Sequence, residues 1–267
     1  MRLKILSSHL VYSAMTIIIA AGVGLFTPIA QADNHLDDSV SMAADQQMLI
    51  HRIVKAYAQA GLEVKQDQAK QQITRASARF GKQLDQLKKE SPAPEITIQF
   101  NKVETLWRPF QNTANGKVTL DGAKRLFISN DLLLHELSLA TDMLEKQAAS
   151  QRARLISLAS RQRMMSQRLA SFYMLRQYGI ENKLIEKKLN VSIEDFEKNL
   201  EQLQNTSANN DDINMALNTI AVQWTLCRDA LENTGAVSRA TFVAISSEKM
   251  LASADKMVAA YSALGNK

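Results

Sequence analysis

Two stretches of this chain, SMAADQQMLIHRIVKAY (41–57) and SLASRQRMMSQRLASFY (157–173), lie on each other when the sequence is slid by 116 residues. Ser41/Ser157, Ala43/Ala159, Gln46/Gln162, Met48/Met164, Arg52/Arg168 and Tyr57/Tyr173 coincide. At the same offset FGKQLDQL (80–87) meets FEKNLEQL (196–203), and at an offset of 120 TLWR (105–108) meets TLCR (225–228). Three blocks in one order are the mark of an internal repeat, which obliges both halves to solve the same packing problem. The expected organisation is two tandem units, at 36–147 and 148–267.

Within each unit apolar residues recur at three and four spacing, through 41–60, 69–88, 98–112 and 120–147 in the first. Breakers separate them: Gly61, then Ser91-Pro92-Ala93-Pro94, then Asn115-Gly116. The second unit repeats the punctuation at Gly179, at Asn205 to Asn210 and at Thr234-Gly235. With nine glycines and four prolines in 267 residues, long helices are permitted and a turn-rich β fold is not. The stretch ITIQF (96–100) alternates, but its place in the repeat favours helix. The fold class read from this is all-α: two tandem antiparallel four-helix bundles. No proline or glycine falls in 146–152, so a continuous central helix could join them into a rod.

The first 32 residues read as an export signal. Arg2 and Lys4 precede an apolar run, Leu10–Phe26, and Ala30-Gln31-Ala32 fits the small-x-small cleavage rule. Cleavage after Ala32 would release the protein into the periplasm; the alternative is an inner-membrane anchor, for which 17 apolar residues is a short span. Losing residues 1–32 lowers the formal charge from +5 to +3, with basic and acidic residues interspersed, which gives no case for nucleic acid.

On a wheel at about 100° per residue, Leu158, Met165, Leu169, Phe172 and Tyr173 form a core stripe with Leu155, and Arg154, Arg161 and Arg168 line its edge. Arg163 falls on the other side, among Ala159, Ser160, Ser166 and Ala170. Small neighbours admit a second helix and leave room beside a guanidinium, whose donor fork suits planar oxyanions. Unit one has Gln47, Ile50 and Val54 where unit two has Arg163, Ser166 and Ala170, whereas Arg168 is kept as Arg52. Arg52, Arg168 and Met164 therefore read as structural, and Arg163, Ser166, Ser160 and Ala159 as a candidate anion site.

The stretch LASRQRMMSQRLA resembles the first-helix motif, the P-box, of NarX/NarQ-type nitrate/nitrite sensors and the related PilJ-type N-terminal domain of type IV pilus chemotaxis transducers. The shared features are Ala159, Arg163-Met164, Ser166 and Arg168-Leu169, with Trp107-Arg108 similar to the family's third helix. The resemblance implies a periplasmic four-helix bundle that binds a small anion such as nitrate or nitrite at Arg163, across a homodimer interface or between the two units with Arg163 facing Gln47. Family sensors continue into a second membrane helix and signalling modules, and this chain ends at Lys267 without them. The expected partner is therefore a separate membrane chemoreceptor or sensor kinase. The competing expectation is a ligand-free helical interaction module docking on such a receptor or on a pilus component, favoured if unit one exposes an apolar stripe, as Ile50 and Val54 suggest.

No other chemistry competes. Cys227 is a lone thiol aligned with Trp107 and reads as buried, and no Cys-x-x-Cys-His is present for haem. His35, His51 and His135 have no metal-ligand spacing, and His51 and His135 read as helix-surface residues. The methionines Met48, Met164 and Met165 read as core filler rather than a copper site. Asp211-Asp212 reads as a helix N-cap pair. Neither a catalytic constellation nor a cofactor or metal site is expected.

Overall fold

The three-four spacing becomes helix throughout. The computed structural model describes residues 28–148, 150–180, 183–232 and 237–264, which excludes most of the expected export segment and the Thr234-Gly235 breaker. Within them lie eight helices and no strand: α1 (Pro28–Gly61), α2 (Gln66–Lys89), α3 (Pro94–Ala114), α4 (Leu120–Ala148), α5 (Gln151–Gln177), α6 (Lys183–Gln204), α7 (Asp211–Glu232) and α8 (Val237–Ser262). ITIQF is helical, inside α3. Pro94 sits at the first position of α3, where its missing N–H costs nothing. The cap of α7 is Asn210, whose Oδ1 accepts from Ile213 N at 3.0 Å. Asp211 and Asp212 are not the cap pair expected; they stand in the first turn, where they oppose the helix dipole.

Helices α1–α4 pack as one antiparallel bundle and α5–α8 as another. Their cores are alike. Phe80 stacks on Trp107 at 3.9 Å between ring centres, and Phe196 meets Trp224 at 4.5 Å. The buried positions of α3, Ile96, Gln99, Phe100, Val103, Trp107, Phe110 and Ala114, correspond at an offset of 117 to Ile213, Ala216, Leu217, Ile220, Trp224, Cys227 and Leu231 of α7. The TLWR/TLCR alignment at 120 is therefore almost one helical turn out of register. The counterpart of Trp107 is Trp224, and Cys227 matches Phe110. Cys227 is buried as expected, which pushes its thiol up to about 12.

The join between the bundles corrects the rod. Helix α4 ends at Ala148, and Ser150, in extended conformation, caps α5 by accepting from Ala153 N at 2.9 Å. Ser157 Oγ donates to Glu145 on α4. Twelve residues of unbroken helix would hold that pair about 18 Å apart, so the chain reverses between α4 and α5. The reversal lays α5 parallel to α1, and these two helices form the seam between the bundles. Each then has three main packing partners: α2, α4 and α5 for α1, and α6, α8 and α1 for α5. That explains why Ile50 and Val54 are fully buried rather than exposed: α5 closes the face that a lone bundle would leave open.

The two central helices end in related turns. After α5, Gly179 takes a left-handed conformation (φ 94°), with Ile180 N donating to Leu175 O at 3.0 Å and Gly179 N to Arg176 O at 3.1 Å. This is the Schellman arrangement that favours glycine. After α1 the same role falls to Glu63 (φ 59°), with Val64 N on Gln59 O at 3.0 Å. Gly61 serves another purpose: a Cβ there would lie 2.2 Å from the Tyr178 ring, so the missing side chain lets the two helix ends meet.

Candidate functional site: the seam between α1 and α5

The seam is a ladder of polar ties between parallel helices. At its N-terminal end Arg152 Nε donates to Asp37 Oδ2 at 2.6 Å, and Ser150 Oγ donates to Asp37 Oδ1 at 3.1 Å. Further along, His51 Nδ1 lies 3.3 Å from Ser171 Oγ, with its ring edge-on to Phe172. At the far end Glu248 of α8 takes Arg52 at 2.5 Å and also Lys55, whose side chain is completely buried. Burial lowers the Lys55 pKa, with Glu248 opposing that shift and Arg52 adding to it. Burial raises that of Glu248, but Lys55 and Arg52 outweigh it and bring the carboxyl below its usual range. Arg52 is thus tied into the seam, and its partner lies in the other bundle.

Arg163 stands in the middle of this ladder with 5% of its side chain exposed. It faces α1 and α8 rather than solvent. Nη1 donates to Asp255 Oδ1 at 3.2 Å and Nη2 to the Ser41 carbonyl at 3.4 Å. Nη2 also forms an ion pair at 3.4 Å with Asp45, which is 2% exposed. Asp45 is held in turn by Arg79 at 2.6 Å and by Gln83 Nε2 at 2.7 Å. Two guanidiniums thus meet two carboxylates, and no net positive charge is left over. Gln47, expected to face Arg163, instead donates to Thr141 Oγ1 at 3.1 Å.

The other expected site residues separate. Ser166 Oγ donates to the Arg163 carbonyl on its own helix at 2.7 Å. Ala159 is core. Ser160 and Met164 turn the other way, into a cleft between α1, α4, α5 and α6. Arg168 borders the same cleft, 3.6 Å from Asp195 and over the Phe172 ring; burial lowers its pKa, and Asp195 and Asp131 offset part of the shift. His51 corrects the surface reading: it is buried at the seam, and burial, then Arg168 and Lys188, hold its pKa well below the usual value. His135 is exposed, as expected. Asp45, Asp255 and Arg79 were not anticipated. Their one sequence signal is a charge reversal, because Asp45 occupies the position matched by Arg161 in unit two.

These features define a class: an all-helical module of two bundles, with a neutralised arginine at their interface. Residues 147–252, which take in α5, α6, α7 and α8 as far as Ala252, match the family model PilJ, described as Type IV pili methyl-accepting chemotaxis transducer N-term. No curated protein matches the chain, and no solved structure does.

Proposed function

We propose that this protein is an exported helical sensory module that acts by docking on a membrane chemoreceptor or sensor kinase, and that its two bundles are tandem copies of one transducer-type domain standing in for a homodimer. The observation that carries the docking reading is an apolar stripe on the outer face of α4, where Ile128, Leu132 and Leu139 are 74%, 52% and 39% exposed. Their spacing of four and seven places them along one face of the helix. The match of residues 147–252 to a chemotaxis transducer domain supplies the class of partner. A nitrate-like anion at Arg163 is less well supported, because Asp45 and Asp255 already stand on the guanidinium where the anion would sit.

Photo-crosslinkers placed at Ile128 and Leu132 of the full chain, in its own cell envelope, test this reading. The expected product is a covalent adduct with a methyl-accepting receptor or a sensor kinase. Adducts confined to other classes of protein, or none at all, refute it. In the same protein purified from Asp33 onward, nitrate and nitrite should leave the melting midpoint unchanged; a shift lost in Arg163→Gln would restore the anion reading.

A further inference from the structure

The cleft beside the seam has about 470 Å³ of space, within the range of small-molecule sites. Its floor is Ala44, Thr141, Ser160 and Met165. Ser160 is fully buried and its hydroxyl has no hydrogen-bond partner. Its walls carry opposite charge. On α4 stand Asp142 and Glu145; on α5 and α6 stand Arg161, Arg168 and Lys198. Asp195 takes up Arg168, and Ser157 donates to Glu145. Among the described residues no ion pair engages Arg161, Lys198 or Asp142, so cations and an anion face each other across the cleft without meeting.

The seam provides an internal control. On its opposite side the corresponding positions are Arg163, matching Gln47, and Asp45, matching Arg161. There the longer arginine reaches Asp45 and Asp255, and both members of the Arg163–Asp45 pair are buried. On the cleft side the shorter Gln47 stops at Thr141, and Arg161 stays exposed with its charge unspent. Where one side has closed over an internal ion pair, the other keeps an open space lined by separated charges.

We infer that this cleft binds a small zwitterion of the free amino acid or dipeptide class, its carboxylate toward Arg161 and Lys198 and its ammonium toward Asp142 and Glu145, with Ser160 available to the molecule's polar body. The inference deepens the sensory reading by naming a ligand class, and it is tested on the isolated protein, where failure to find a receptor has no bearing. Thermal-shift and calorimetric titrations of protein beginning at Asp33 would use the standard amino acids and glycyl dipeptides, with acetate and ethylammonium as half-ligands. At least one zwitterion should raise the midpoint while neither half-ligand does; which of the two sets responds identifies the source. Arg161→Glu and Asp142→Lys, both at exposed positions, should each weaken binding by about tenfold or more with the ligand-free midpoint unchanged. Gln47→Arg, which copies the closed side, should block the cleft. Silence from every zwitterion, a response reproduced by acetate alone, or binding that survives Arg161→Gln combined with Asp142→Asn would overturn the proposal.

Discussion

Replacing Asp45 by asparagine removes one charge and almost no volume from the centre of the seam. The carboxylate is 2% exposed and serves Arg79 at 2.6 Å, Gln83 at 2.7 Å and Arg163 at 3.4 Å. In the variant, Arg163 keeps as charged partner only Asp255, whose side chain is 46% exposed and shares its charge with water. An uncompensated buried charge costs about 3–5 kcal/mol, and the surviving Asp255 contact puts the expectation at the lower end, about 3 kcal/mol. For a chain of this size that is a fall of about 6–12 °C in the melting midpoint, readable by far-ultraviolet circular dichroism, with urea unfolding as a second measure. Arg163→Gln, the residue unit one uses, leaves Asp45 to Arg79 and Gln83 and should cost only about 1–2 kcal/mol. The double variant should be less harmful than the sum of the two by about 1 kcal/mol or more, since each change removes the other's liability. A loss within about 0.5 kcal/mol for Asp45→Asn, the level of an ordinary surface change, would refute the claim that Arg163 is neutralised by the seam. Strict additivity in the double variant would refute it too.

Glu63 holds a left-handed turn that glycine fills after α5, so Glu63→Gly should stabilise by about 0.5–1 kcal/mol. Gly179→Ala, whose Cβ would meet Leu120 without a clash at 4.0 Å but with φ at 94°, should destabilise by about 1 kcal/mol or more, and both are read by urea unfolding. Gly61→Ala should cost about 1–3 kcal/mol despite alanine's better helix propensity, because the new Cβ meets the Tyr178 ring; adding Tyr178→Ala should remove the clash and narrow the loss. His51 is buried with its pKa well below the ordinary value, so the unfolded chain binds a proton that the folded one refuses. Stability should therefore fall as pH drops below the unfolded histidine value of about 6.5, by up to about 1.4 kcal/mol per unit, and His51→Gln should flatten that slope in melts between pH 7 and pH 5.

The helices were legible because their signals are local. Apolar spacing marked four segments in unit one and the breakers implied four more in unit two; α1 starts well before the expected 41, at Pro28, while Gly61, Pro94 and Gly179 marked real ends. The seam was not legible, because nothing local distinguishes a helix covered on one side from one covered on three. The wheel of α5 read its small face correctly as a place where another helix could approach. It could not say that the other helix was α1 of the same chain, or that α1 carried an acid for Arg163. Asp45 and Arg163 are far apart in sequence, and only the charge reversal between Asp45 and Arg161 linked the two units. The α3/α7 register failed for a related reason: three matching letters in TLWR and TLCR outweighed the seven-position burial pattern, which only packing reveals.

The central claim is that the two bundles lie side by side, joined through α1 and α5. Small-angle X-ray scattering of the monomeric protein measures it directly. Helices of 27 residues are about 40 Å long, so two bundles in parallel should give a maximum dimension of about 60 Å, whereas bundles placed end to end would give about 90 Å. A value near the first agrees with the seam; a value near the second would mean that α1 and α5 never meet.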